Sequence, residues 1–428
     1  MDKSILIKNC NLISMAEGRE KYEPGMDILV VDGKIATIGR DLAQDGVEAI
    51  EANGKIVMPG FINTHTHLGM SIFRETLDGY TLQDWLNKKI FPMEDRMTDE
   101  DMYFASLLSF VEMVCTGTVM AQDQYFKPES AIRASLEVGA RFQVTRTVFD
   151  ASNNGDGMLA EQEALVEKYL GKYDTLTLCV GIHGLYTTGA ETVQKCVEHA
   201  KKYGLPVHLH FCENQQEVED IKRDYGVESP VDVLEKYFGG VHTVLAHAVK
   251  LDEGEIERLS KLDVAVAHCP VSNLRLGCGV AKIQQMADKG VLVSLGTDGQ
   301  GSGSNLDMFD EMKFAALLSK GVFENAGNMD SYEVLKMATI NGAKALGVAD
   351  KIGSIEEGKD ADLIMVDLES VCSQPTGNVF ADLVYNAKGS NVKMTMIGGR
   401  VVMRDGEVAG IDKKALYSEC TEIIERIS

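Results

Sequence analysis

With 428 residues, 45% of them hydrophobic and 25% charged, the chain has the composition of a soluble globular protein with material for a large core, in one barrel or in two or three domains. A net charge of −23 and a pI near 4.8 exclude electrostatic attraction to nucleic acid or to anionic membrane, both of which need basic patches. Nine cysteines without a CxxC pair read as reduced thiols, the early break in Ile5-Leu6-Ile7-Lys8 fits no signal peptide, and no stretch approaches a membrane span, so a cytoplasmic location is expected.

From the N-terminus, residues 3–55 alternate short strands with hairpin signals, such as 28–31, Asp32-Gly33 and 34–38. An apolar run over 56–62 then leads into Asn63-Thr64-His65-Thr66-His67. In an extended chain residues i and i+2 face the same way, so His65 and His67 present two imidazoles on one side of a strand end. Seven further β-branched runs follow, at 118–124, 142–149, 176–183, 206–213, 243–249, 264–270 and 291–298. Amphipathic stretches between them predict helices over 99–114, 129–138, 158–170, 191–203, 230–238, 253–262 and 283–289. Eight βα repeats predict an α/β fold, a (β/α)8 TIM-type barrel over 59–352, with a helical pair at 307–318 and 332–346 closing it. Residues 353–410 return to hairpins, including Gly398-Gly399 and Asp405-Gly406. Neither end can bury a face alone, so 1–58 and 353–428 are expected to form one composite β-sandwich domain carrying the inserted barrel.

Polar residues gather at the C-terminal ends of the predicted strands: His65 and His67, Asp123, Arg146, His183, His210 and Glu213, His247, His268, and Asp298. Barrel enzymes assemble their active sites at that face. Of nine histidines only His199, His208 and His242 lie elsewhere. A catalytic metal takes three or four protein ligands and keeps a position for water, and His65, His67, His210 and Asp298 are the candidates. Imidazole plus carboxylate suits one divalent ion per chain, zinc with iron(II) as the alternative, and water on such an ion ionises near neutral pH. Glu213, three residues beyond His210, is placed to move a proton from that water to a leaving group, and His247 to orient the water or share the proton. Trp85, the only tryptophan, sits in the loop after the first strand, where it lines the pocket or packs in the core.

The HxH after Pro59-Gly60, the His210-Phe211-Cys212-Glu213 run, the lone His247, His268-Cys269-Pro270-Val271-Ser272-Asn273, Gly296-Thr297-Asp298-Gly299 and the 353–362 stretch together resemble the amidohydrolase superfamily over nearly the whole length. Within it they resemble the mononuclear aminohydrolases, and among these the 5-methylthioadenosine/S-adenosylhomocysteine deaminases. Binuclear members usually carry a carboxylated lysine at the end of strand 4, where this chain has His183, so the resemblance implies one metal. It implies hydrolytic deamination of a 5′-substituted adenosine to the inosine analogue and ammonia, with Glu213, His247 and Asp298 catalytic. It further implies that Glu94 grips the ribose hydroxyls, that His183 contacts purine and ribose, and that Arg146 meets the 5′ substituent; the other reading of Arg146 is an internal ion pair with Asp123 or Asp150. The 150–158 loop lacks the second arginine of members that accept S-adenosylhomocysteine well, which moves the expectation towards a neutral 5′ group, as in 5-methylthioadenosine or 5′-deoxyadenosine. The alternatives are a deaminase of a free base or related heterocycle (guanine, pterin, triazine) and, remotely, a non-catalytic barrel. The expected partner is a small purine nucleoside, and homo-oligomerisation is left open.

Overall fold

A computed structural model describes residues 4–43, 46–80, 82–150 and 154–428 of the chain. The barrel strands are Phe61–Thr66, Thr118–Asp123, Arg141–Val144, Leu176–Leu178 continued by Val180–Gly184, Val207–Phe211, Thr243–His247, Val264–His268 and Leu292–Leu295. Neighbours pair in parallel within two arcs, first to fourth and fourth to eighth. The arcs join around Cys179, whose N–H donates to Val144 O at 3.1 Å while the Val148 N–H donates to Gly181 O at 2.9 Å. The other seam, between eighth and first strands, is closed by the Asp298 N–H to His65 O at 3.0 Å and by Thr64 Oγ1 to Leu295 O at 2.8 Å. The bonds that close the barrel therefore also fix two of the candidate metal ligands relative to each other. Helices on the outer faces leave these strands buried on both sides, which is why they read as continuous apolar runs.

Three sequence expectations change in detail. The run over 56–62 is two strands, Ile56–Pro59 and Phe61–Thr66, and the first of them belongs to a different sheet. Gly60 makes the crossing: a Cβ there would lie 2.2 Å from Val119 Cγ1, so no side chain fits where the chain passes from sheet to barrel. The third strand ends at Val144 rather than 149, because the Thr145 hydroxyl accepts from the Gly181 N–H (2.7 Å) and Gln162 Oε1 accepts from the Arg146 N–H (2.6 Å), replacing ladder bonds. The helix expected over 332–346 breaks at Thr339 into Ser331–Ala338 and Ile340–Ala345, with the Thr339 hydroxyl turned back onto Leu335 O at 2.6 Å. Helices Gln215–Tyr225, Val379–Tyr385 and Lys413–Ile427 were not anticipated. The last of these buries Leu416, Cys420, Ile423 and Ile427, with the Cys420 thiol reaching Phe104 O on the Asp99–Cys115 helix.

Both chain ends contribute to one nine-stranded sheet. They meet where Ile56–Pro59 pairs antiparallel with Leu363–Val366, while Ile5–Leu12 pairs in parallel with the start of Ile56–Pro59. This sheet has its own apolar core, including Ile7, Leu12, Ile28, Val57, Leu363 and Met394. Arg141 of the barrel ties it down, with Nε 2.5 Å from Asp362 Oδ2 and Nη2 2.8 Å from Asp360 Oδ2. Leaving one partner of such a buried pair alone costs about 3–5 kcal/mol, so this contact holds sheet and barrel in one register. Among the described residues, no helix is long and apolar enough to cross a membrane.

Candidate metal centre and active site

Strand geometry delivers the ligands. Phe61–Thr66 ends with His65 pointing inward and His67 just beyond it, His210 comes from Val207–Phe211, and Asp298 follows Leu292–Leu295. Gly296 lets the last of these approach, since a Cβ there would lie 2.8 Å from His65 Cβ. Asp298 Oδ1 is 3.0 Å from His67 Nε2 and 3.6 Å from His65 Nε2, and His210 Nε2 is 3.3 Å from His67 Nε2. All four side chains are buried. The set His65, His67 and Asp298, and the set His65, His210 and His247, each bring ligand atoms within 4.8 Å of one another.

The donors fit a divalent cation. The rear nitrogen of each ligating ring is tied down: His67 Nδ1 to Gln124 O at 2.8 Å, His210 Nδ1 to His183 O at 2.5 Å, and His65 Nδ1 to His208 Nε2 at 2.9 Å. A proton on Nδ1 given to a carbonyl leaves the Nε2 lone pair pointing into the cluster, as ligation requires. Among the described residues the buried His65 Nε2 has no hydrogen-bond partner. Asp298 Oδ2 accepts from the Ser272 and Ser302 hydroxyls at 2.6 and 2.9 Å, while Oδ1 accepts from the Gly299 N–H at 2.8 Å and keeps its second lone pair toward the centre. Burial pushes His65 down to about 3, against the pull of Asp298, so its ring is neutral and open to a metal. Burial also works against the charged forms of His67 and Asp298, yet each stabilises the other: His67 is held above the usual imidazole range and Asp298 well below the carboxylate range.

Glu213 faces the same pocket. Its backbone N–H and that of Cys212 donate to the two oxygens of Glu217, at 2.7 and 2.8 Å, so the turn after the strand is fixed. Burial raises the Glu213 carboxyl above its ordinary range, the direction expected of a group that carries protons near neutral pH. His247 Nδ1 lies 2.9 Å from Asn273 Oδ1, which leaves Nε2 free to meet a ligand. Both His247 (φ 75°) and Asp298 (φ 61°) have left-handed backbones, a conformation that non-glycine residues hold only where the surroundings impose it, at about 1–3 kcal/mol each.

Glu94, His183 and Trp85 line this pocket with Glu213 and three of the candidate ligands, His67, His210 and Asp298. Glu94 accepts a hydrogen bond from the Tyr125 hydroxyl, and burial lifts its carboxyl to about 7 in spite of that bond. His183 Nδ1 lies 2.9 Å from the Thr187 hydroxyl, and burial lowers the ring to about 4. Trp85 is both wall and core: it is buried, and its indole N–H donates to the Thr76 hydroxyl at 3.0 Å. Arg146 lines an adjoining groove instead, and its ion-pair partner is neither Asp123 nor Asp150 but Glu161, with Nε to Oε2 at 2.7 Å. Residues 151–153 of the loop that lacks a second arginine lie outside the described residues.

Sequence reading set His208 aside, and the structure places it against His65, rings stacked with centroids 5.1 Å apart. The alternation that picked out His65 and His67 also relates His208 to His210, so the signal was present. Asn273, Ser272, Ser302, Tyr125 and Glu217 had no such signal, because their roles depend on contacts between distant segments. His208→Ala is expected to weaken metal binding by ~10–100-fold, the usual effect of losing an outer partner of a ligating histidine. Competition with a chelator of known affinity measures it, and unchanged affinity would show that His208 serves packing alone.

The amidohydrolase family model matches residues 56–402. The chain is 40% identical over 423 residues to the 5-methylthioadenosine/S-adenosylhomocysteine deaminase of Caldanaerobacter subterraneus subsp. tengcongensis, covering 97% of this chain and 96% of that one. It is 36% identical over 427 residues to the 5′-deoxyadenosine deaminase of Methanosarcina acetivorans, covering 99% and 98%. Among solved structures, an adenosine deaminase from Xanthomonas campestris with bound zinc superimposes with a TM-score of 0.94 at 29% identity, covering 99% of this chain and 98% of that one.

Proposed function

The chain belongs to the amidohydrolase family, and from that premise we propose that it hydrolytically deaminates a 5′-substituted adenosine, such as 5-methylthioadenosine, S-adenosylhomocysteine or 5′-deoxyadenosine, to the inosine analogue and ammonia. The observation that carries this reading is one pocket lined at once by His67, His210 and Asp298 of the candidate ligands, by Glu213 and by Glu94, so that a proton carrier and a diol-binding carboxylate address the same small molecule. A divalent ion held by His65, His67, His210 and Asp298, zinc with iron(II) as the alternative, activates water for attack at C6 of adenine when bound.

Glu213 accepts one proton from the attacking water and passes it to the ring nitrogen beside C6, then takes the second from the hydroxyl now on C6 and delivers it to the exocyclic amine, which leaves as ammonia as the C–N bond breaks. His247, held through Nδ1 by Asn273, accepts at Nε2 from the attacking water and so aims its oxygen at C6, and Asp298 Oδ1 steadies the same centre. Glu94 accepts from the ribose hydroxyls, with the Tyr125 hydroxyl holding its other face. His183 and Trp85 flank purine and sugar, and Arg146 lies on the side of the 5′ substituent. In this reading 59–352 is the catalytic domain, 1–58 with 353–428 is the composite β-domain beneath it, and the enzyme works in the cytoplasm with nine unpaired thiols.

An ammonia-release panel of adenosine, 5-methylthioadenosine, S-adenosylhomocysteine, 5′-deoxyadenosine, guanine and cytosine tests the substrate class. Glu94→Ala is expected to lower kcat/KM on the nucleosides by ~10²-fold, the worth of one or two charge-assisted hydrogen bonds, with a much smaller loss on any free base. Equal losses on base and nucleoside, or turnover of bases only, would replace this reading with that of a free-base deaminase.

A further inference from the structure

Phe91, Glu94 and Phe126 line both the active-site pocket and a groove that adjoins it. A nucleoside whose ribose sits at Glu94 therefore extends its 5′ substituent into that groove, a step that rests on the proposed deamination of such nucleosides. The groove walls are apolar, with Met97, Met102, Phe126 and Phe149. Among the described residues, Lys127 and Arg146 are the cations that line it. Both are already engaged. Lys127 Nζ is 2.5 Å from Asp99 Oδ1. Arg146 donates from Nη1 to Thr147 O at 2.7 Å and from Nε to Glu161 Oε2 at 2.7 Å. The Arg146 side chain is only 14% exposed and the Glu161 side chain 58%, so a guanidinium set in the wall is covered by a carboxylate at the rim.

Glu94, Asp95 and Glu161 also line the groove, so its acidic groups outnumber its cations. A substituent that ends in a carboxylate must displace Glu161 from Arg146 and meets like charge on arrival, whereas a short neutral thioether or methyl group packs on the Met and Phe surfaces without disturbing the Arg146–Glu161 pair. We infer that Glu161 is a specificity-determining residue, which by occupying Arg146 sets the groove for neutral apolar 5′ substituents and against anionic ones. Glu161 is exposed enough for solvent to screen the pair, so the discrimination it adds is about tenfold rather than absolute.

The test is the ratio of kcat/KM for 5′-deoxy-5′-(carboxymethylthio)adenosine, whose substituent carries a carboxylate and no ammonium, to that for 5-methylthioadenosine in metal-loaded full-length protein, with the unfolding midpoint of each variant checked first. In Glu161→Gln the ratio is expected to rise about tenfold, mainly through a lower KM for the carboxylate substrate, and in the double variant Glu161→Gln/Arg146→Gln the gain should vanish. A ratio within twofold of wild type in Glu161→Gln, or a gain that survives the loss of Arg146, overturns the role of Glu161 and leaves the deamination reading intact. If the wild-type enzyme releases ammonia from neither nucleoside, the deamination reading falls and this inference falls with it.

Discussion

Replacing Glu213 by glutamine is expected to lower turnover by ~10²-fold or more while leaving bound metal and unfolding midpoint in place. Glutamine has the same shape and can still hydrogen-bond, but it cannot take up a proton and release it again. The position of the side chain should survive the change, because the turn is held through backbone N–H groups by Glu217 and not by the Glu213 carboxyl itself. Among the described residues that carboxyl accepts from the Cys278 thiol, 3.6 Å from Oε1, a bond that an amide oxygen can also accept. Burial disfavours the ionised carboxyl, so a neutral amide costs nothing in stability and relieves a small penalty. Steady-state ammonia release and metal analysis on the same preparation decide the matter. Turnover within a few-fold of wild type would remove Glu213 from the proton path, whereas loss of metal would recast it as part of the cage.

Asp298→Ala should produce a loss of a different kind. Metal affinity is expected to fall by more than ~10²-fold, beyond the range seen for outer partners of ligands, and activity with it. The metal-free protein should lose less. There His67 and Asp298 act as an imidazolium–carboxylate pair. Asp298, held below its unfolded value of about 3.9, contributes stability above that pH and loses it as pH falls through the depressed value. His67, held above about 6.5, contributes below that pH and loses its share as pH rises through the raised value. The pair therefore stabilises the metal-free fold most between about pH 4 and 6.5. Without Asp298 the His67 ring can simply shed its proton, so the variant should lose only ~1–2 kcal/mol there, well short of the cost of stranding a charge that cannot be neutralised. Chelator challenge followed by metal analysis separates the two effects. Stoichiometric metal surviving in Asp298→Ala after wild-type protein has been stripped would exclude Asp298 as a ligand.

Much of this was legible in the chain because each barrel strand is an apolar run bounded by an amphipathic helix, and because the candidate metal ligands stand at strand ends. Strand limits were less legible. Nothing within 56–62 marks the change of sheet except Gly60, whose meaning depends on Val119, nearly sixty residues away. Arg146 shows the same limit for charges: Asp123 and Asp150 looked like natural partners, but Asp123 accepts from the Leu68 N–H at 2.8 Å and Asp150 from the Gly189 N–H at 2.7 Å. Asp150 also accepts from the Thr192 hydroxyl at 2.9 Å, and the guanidinium turns to Glu161 on the following helix. Local pattern locates the chemistry, whereas the fastening of each group is a property of the closed barrel.

The strand Ile56–Pro59 lies in the nine-stranded sheet between a neighbour made early, Ile5–Leu12, and one made late, Leu363–Val366. On a ribosome adding ~5–20 residues per second, the roughly 300 residues that separate it from the late neighbour take ~15–60 s to emerge. For that interval a fully apolar stretch, Ile-Val-Met-Pro, offers one unpaired edge to solvent. Nascent chains should therefore be far more prone to aggregate, and to recruit chaperones, than the finished protein. A ribosome stalled before the codons for Leu363–Val366 should leave a product that holds most of the barrel yet stays insoluble.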